Sequence, residues 1–299
     1  MISNPIPWPG NARCAVAFTF DMDAEALLHV NFREKAPDRV ALASMLRYEP
    51  HVAVPRILDI FRRFDLRQTF FIPGWCVETY PATVEQILVA GHELGHHGYL
   101  HKQPNMQSRD EEAESLGRGI EALTRLSGHR PVGYRAPAYA FSRHTLELLQ
   151  VNGFLYDSSL LGDDQPYLIG NERGNLVELP TDMSLDDWTQ YVCLKELGYM
   201  LPIAAPGRAL EVFRAEFDAA WRHGGLWNAV WHPFVSGRLS RADAFAALIE
   251  HMQDKGGVWF ASLAEIAAHV RELVEEGLWQ PRVDQVPYWP RPLQDRELS

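Results

Sequence analysis

Cysteine is scarce in this chain of 299 residues: Cys14, Cys76 and Cys193 are far apart and odd in number, which excludes a disulfide scaffold and any CxxC metal or redox spacing. Long apolar runs are missing too, so no segment has the length needed to cross a bilayer. The first residues, MISNPIPWPGNARCAV, lack a basic stretch leading into an apolar one and do not read as a secretory signal, so a cytoplasmic location is expected and a membrane partner is not. Basic residues are in deficit, with 28 Lys plus Arg against 39 Asp plus Glu and a formal charge of −11, which repels phosphate backbones and argues against nucleic acid as a partner. There is no low-complexity stretch and no fixed-period repeat, which removes solenoids and propellers.

What is present is enough apolar material for a large core, 46% of residues. Short runs rich in β-branched and aromatic residues alternate with helical patterns, the order of βα units around a mostly parallel sheet. Expected strands are CAVAFTFD from Cys14 to Asp21, Thr69 to Pro73, Glu93 to His97, a strand leading into Tyr134, FLYDSS, VELP, LWNAVWHP and VWFASL. Helical patterns fall between them, as at Val54, Ile57, Leu58 and Phe61, over Ala82 to Ala90, over Arg109 to Leu126 and over Leu210 to Arg222. The expected architecture is α/β, a single domain over residues 1–299 with an extended, proline-punctuated tail over 280–299. Leu161 to Arg173 and Thr181 to Pro206 interrupt the alternation and are expected to be loops over the mouth.

Enzymes built this way carry their chemistry where strands end, and four polar clusters fall there. In Phe20-Asp21-Met22-Asp23, side chains two apart on an extended backbone share a face at about 7 Å. One carboxylate can then bind a metal while the other takes a proton from water at the ion; the bland alternative is a helix-capping loop carboxylate. In HELGHHGYLH, His97 and His101 are four apart, the spacing that stacks two imidazoles on one side of a helical turn. His92 and His96 share that spacing, but His92 precedes the expected strand, and a solvated helix face competes with both pairs. Asp23, His97 and His101 together make a two-histidine, one-carboxylate set with positions left open, the pattern of a catalytic metal site. In Arg135-Ala136-Pro137-Ala138-Tyr139, the proline stiffens the turn so that Arg135 is held at the strand end, able to orient and keep ionised a carboxylate such as Asp21, unless it is an ordinary surface arginine. In Trp231-His232-Pro233, a histidine at a strand end can protonate a leaving amine; with 12 histidines in the chain, only position distinguishes it from a core histidine.

The four clusters, in this order and spanning about Ala15 to Ala268, resemble the motifs of the polysaccharide deacetylase superfamily, carbohydrate esterase family 4. TFDMD is similar to its first motif, though Met22 separates aspartates that the family keeps adjacent; HHGYLH is similar to its histidine pair, RAPAY to its RxPxY element and WHP to its late histidine element. The resemblance implies a distorted TIM-like barrel, often seven-stranded, with the active site at the C-terminal ends of the strands. It implies Asp21 as base, His232 as general acid, Arg135 as the residue orienting Asp21, and Asp23, His97 and His101 as ligands of Zn2+ or another divalent transition metal. FDMDAE, GHHGYLHKQPN and VELPTDMSLDDW are similar to an intracellular branch containing peptidoglycan-deacetylase-like proteins, cyclic imidases and allantoinase-like enzymes, some of them tetramers, which implies a homo-oligomer.

The expected function is therefore divalent-metal-dependent hydrolysis of a non-peptide amide C–N bond. The missing secretion signal favours a small cyclic amide or imide, and the family name favours an acetamido sugar. Asp186, Asp187 and Trp188 are candidates for a lid that sorts the two, with loop packing the plainer role for Trp188. Two other classes stay open: a sugar- or metal-binding barrel without catalysis, and a metal-independent glycosidase using Asp21 with another carboxylate.

Overall fold

The computed structural model describes residues 1–289 and 291. Its strands, in chain order, are β1 Cys14–Asp21, β2 Thr69–Ile72, β3 Glu93–His96, β4 Gly133–Tyr134, β5 Tyr156–Asp157, β6 Tyr167–Asn171, β7 Gly174–Glu178, β8 Cys193–Leu194, β9 Tyr199–Met200, β10 Leu226–Trp231, β11 Val258–Phe260 and β12 Val283–Gln285. The main sheet runs β10-β1-β2-β3-β4-β5-β7-β6-β12, and every pairing from β10 to β7 is parallel. Those seven parallel strands, with helices between them, form the distorted α/β barrel of the TIM-like type. β11 lies beside the first residues of β1, on the edge that β2 takes over further along, while β10 holds the opposite edge.

β1 shows how sequence becomes layers. All eight of its residues are buried, as expected for a parallel strand covered on both faces. Cys14, Val16, Phe18 and Phe20 point outward into the packing with the helices, where Phe61 and Phe245 stack edge-on against Phe20. The alternate positions, Ala15, Ala17, Thr19 and Asp21, are small or polar and face the barrel interior. The period of two thus puts Asp21 on the inner face at the C-terminal end of the strand.

The ring closes between β7 and β10 through a seam instead of a ladder. Asn228 Nδ2 donates to the carbonyls of Leu179 and Pro180 at 3.2 Å each, Thr181 Oγ1 donates to the carbonyl of Asn228 at 2.7 Å, and Asp186 bridges Val230. One of the two loop assignments needs correction. Leu161 to Arg173 does not cover the mouth: it contains β6, which pairs antiparallel with β7, and Leu226 N–H donates to the carbonyl of Asp164 at the N-terminal end of β10, the opposite end of the barrel. Thr181 to Pro206 does reach the mouth and carries the small β8–β9 hairpin. In the tail, β12 pairs in parallel with β6, Tyr288 and Trp289 are exposed, and Pro290 and residues 292–299 lie outside the described residues. No helix among the described residues is long and apolar enough to cross a membrane.

Candidate active site

Asp21, Asp23, His97, His101 and His232 line a single cavity of about 680 Å³ at the C-terminal ends of the strands, and Arg135 lies directly behind Asp21. All six residues singled out from the sequence therefore come together.

Arg135 is wholly buried, which removes the surface-arginine alternative. Its Nη1 donates to Asp21 Oδ1 at 2.8 Å and to Thr19 Oγ1 at 2.6 Å, its Nε and Nη2 donate to the carbonyl and hydroxyl of Ser158 at 2.9 Å, and its guanidinium lies 4.2 Å over the Phe71 ring. A fork fixed at so many points sets the orientation of Asp21 and leaves Oδ2 facing the cavity. Burial alone would raise the Asp21 carboxyl, but Arg135, with His97 and His232, outweighs it and holds the group below the usual carboxylate range.

The histidine pair differs from its expected setting. Residues 97–101 form a turn, not a helix: Gly98 has φ +72° and His101 φ +52°, and this left-handed bending, rather than helical stacking, brings the two rings to 5.0 Å. His97 Nδ1–H donates to the carbonyl of Arg135 at 2.8 Å, which fixes the tautomer and turns a bare Nε2 toward the cavity. That Nε2 is 3.5 Å from Asp23 Oδ1 and 3.7 Å from Asp21 Oδ2, and His101 Nε2 is 3.4 Å from Asp23 Oδ2. The competing pair is structural. His96 Nδ1 accepts Gly98 N–H while its Nε2–H donates to the carbonyl of Leu116, and His92 Nδ1 accepts Gln68 N–H.

The donor set fits a divalent cation. The ligand atoms of Asp23, His97 and His101 all lie within 4.8 Å of one another. Asp23 Oδ1 is buried and has no hydrogen-bond partner, a costly condition that an ion would relieve. Burial keeps both imidazoles neutral, with His101 down to about 4, and pushes the Asp23 carboxyl up to about 6 against the pull of His97 and His232. A second cluster of similar spacing, Asp186, Asp187 and His232, is different because its atoms are already used. Asp187 accepts from His232 N–H at 3.0 Å, from His232 Nδ1 at 2.8 Å and from Ser236 Oγ at 2.6 Å. Asp186 accepts from Tyr139 Oη at 2.7 Å and caps Trp188 N–H at 2.8 Å.

Asp187 is the residue that sequence reasoning misplaced. It is fully buried, so it is no lid residue; it lies beneath His232. Burial alone would lower the His232 imidazole, but Asp187, aided by Asp186 and Asp23, raises it well above its ordinary value. His232 Nε2 lies on the cavity side, 3.9 Å from Asp23 Oδ2. The sequence showed only an Asp-Asp-Trp triplet; its partner is 45 positions away, and no local spacing joins them. Trp188 does line the mouth, edge-on to His232 at 5.1 Å and to Tyr199 at 4.9 Å.

Known proteins are similar to this chain over most of its length. The polysaccharide deacetylase family model matches residues 35–156. The peptidoglycan deacetylase of Helicobacter pylori is 30% identical over 279 residues, which cover 84% of this chain and 94% of that protein. A crystal structure from Mycobacterium smegmatis, named a putative polysaccharide deacetylase, has 41% identity and a TM-score of 0.89, covering 98% of this chain and 99% of that one. That of an allantoinase has 25% identity and a TM-score of 0.78, covering 89% and 94%.

Proposed function

We propose that this chain, which belongs to the polysaccharide deacetylase family and is a hydrolase of non-peptide C–N bonds, is a divalent-metal-dependent amidohydrolase acting on a small N-acetylated sugar or cyclic amide. The observation that carries the reading is the orphaned Asp23 Oδ1 between two neutral imidazoles, with a separately held carboxylate and a separately held imidazole on the same cavity.

Held by Asp23, His97 and His101, a zinc or similar ion would supply Lewis acidity, polarising the amide carbonyl and making water acidic enough to ionise near neutrality. This chain's own groups do the rest. Asp21, ionised and aimed by Arg135, takes the proton of the attacking water through Oδ2. His232, kept protonated by Asp187, gives its Nε2 proton to the departing nitrogen, so that an amine leaves instead of an amide anion. A glycosidase would need no metal donors, and a binding protein would need no acid poised opposite a base.

Two substrate classes fit a cavity of about 680 Å³, which suits a small molecule or one to two sugar rings. The Helicobacter pylori relative supports an acetamido sugar, and the allantoinase neighbour supports ring opening of a cyclic amide. A turnover screen of zinc-loaded protein against N-acetylated sugars, cyclic imides, allantoin and dihydropyrimidines decides between them; no turnover of any amide with metal bound would overturn the reading. The three free cysteines suit the cytoplasmic location expected from the sequence, and the exposed Met200, Leu201 and Ile203 beside the mouth support a homo-oligomer, which light scattering checks.

A further inference from the structure

Between β1 and β2 the chain makes an excursion for which the proposed reaction has no use, and at its centre is a carboxylate with no access to water. Glu49 is 0% exposed and opens a five-residue π-helical turn, Glu49–Ala53. A buried carboxylate is costly, and π-turns recur where a backbone must present a side chain at an unusual angle. Glu49 uses both oxygens on backbone donors from two different loops: Oε1 accepts Ala24 N–H at 2.7 Å and Oε2 accepts Phe234 N–H at 3.2 Å.

Those two loops follow β1 and β10. Ala24 is the neighbour of Asp23, and Phe234 is two residues beyond His232. Each is bound to the excursion by more than the carboxylate: next to Ala24, Glu25 Oε1 accepts from Arg47 Nη1 at 3.1 Å. Ala24 has φ +43°, a left-handed conformation that an alanine holds only when its surroundings impose it. Gly237, at the end of the His232 loop, lies so close to the π-turn that a Cβ there would be 2.5 Å from Ala53 Cβ, and its carbonyl accepts from Arg56 Nη1 and Tyr48 Oη. The chemistry selects the residue type. Two N–H groups converging on one side chain need two acceptor oxygens; burial and Asp23 push the Glu49 carboxyl well above its ordinary value while the two backbone N–H groups draw it back, and either form presents two oxygens, whereas a glutamine would turn an NH2 against one of the donors.

We propose that Glu49 is a positioning residue that sets the distance between the metal-ligand loop carrying Asp23 and the acid loop carrying His232. The inference builds on the proposed amidohydrolase reading. Glu49 does not line the cavity and touches no reacting atom; it acts through Ala24 and Phe234. Removing such outer support of a metal site costs about 10- to 100-fold in metal affinity or activity.

The test compares wild type, Glu49→Gln and Glu49→Asp for folding by far-UV circular dichroism, for zinc affinity by competition with a chromophoric chelator, and for kcat and KM on an amide that the wild type hydrolyses. The Gln variant is expected to fold, to bind zinc at least about 10-fold more weakly, and to lose at least about 10-fold in kcat with KM within about twofold, since the loops carry reacting groups. The Asp variant, with both oxygens withdrawn by one methylene, is expected to fall between the two. A folded Gln variant with kcat and zinc affinity within about twofold of wild type overturns the proposal; if that variant does not fold, the same result in the Asp variant overturns it. The zinc titration needs no substrate, so a wild type that binds zinc and hydrolyses no amide sinks the proposed function while the zinc arm still decides the role of Glu49.

Discussion

Replacing Asp187 by Asn tests whether His232 is a proton donor or only a cavity wall. Asp187 accepts three hydrogen bonds, two of them from His232, and it is the largest influence raising an imidazole that burial would otherwise lower. Asparagine keeps the volume and one acceptor oxygen but removes the charge. A charge-assisted hydrogen bond contributes about 1.5–3 kcal/mol, and one pKa unit corresponds to about 1.4 kcal/mol, so the imidazolium should lose roughly one to two units. The sign follows: the raised pKa keeps His232 protonated across neutrality, and without Asp187 the donor form disappears at lower pH. The basic limb of the kcat profile should then move to lower pH by about one to two units. At pH 8 the loss should reach about 10²-fold for unactivated amides, within the range of one general acid. The assay is kcat against leaving-group basicity in a series of acyl amides and anilides. Substrates whose nitrogen leaves without a proton should lose less than about fivefold, so the dependence on leaving-group pKa steepens. Equal losses across the series, or an unmoved basic limb, would show that Asp187 only holds the fold and that His232 is not the acid.

Asp21→Asn should keep one zinc per chain by elemental analysis yet lose about 10²- to 10⁴-fold in kcat, because Arg135 retains a partner oxygen while the proton acceptor is gone; near-wild-type turnover refutes the base assignment. His101→Ala leaves two ligands and a half-filled cluster, so zinc affinity measured against a chelator should fall at least about 100-fold, and an unchanged affinity would move the metal elsewhere. Stability should respond to acid through His92, which burial, aided by Arg67, keeps neutral, with its pKa lowered to about 4. The unfolded chain takes up that proton near pH 6.5, so the contribution is complete above about 6.5 and is lost as pH falls toward about 4, at most about 3 kcal/mol. Urea unfolding at pH 7 and pH 4.5 should show a smaller acid loss in His92→Asn, which keeps an acceptor for Gln68 N–H; equal losses would mean that His92 is not the titrating group.

The fold was legible because β1, β2 and β10 write their burial directly into composition: strands covered on both faces are mostly apolar, with Thr19, Thr69 and Asn228 as the polar exceptions within them. The strand end is also why Asp21, Asp23 and His232 could be found, since a carboxylate or imidazole at the end of such a run is local information. The turn at His97–His101 was half legible. Its spacing pointed to a shared ligand, but the left-handed residues that achieve it leave no signal beyond Gly98, and His101 holds φ +52° without being glycine. Asp187 and Glu49 were illegible for a different reason. Each is buried by residues 45 and 185 positions away, His232 and Phe234, and a carboxylate destined for the interior is written no differently from one destined for solvent. What separates the two groups is whether a residue acts on the reaction or on the residues that do. Groups facing the cavity must sit at strand ends, which the pattern reveals, while groups that orient them are free to arrive from any loop that packs behind. The positioning residues of such a barrel are therefore better sought among buried charges left unexplained by any strand end than among motifs.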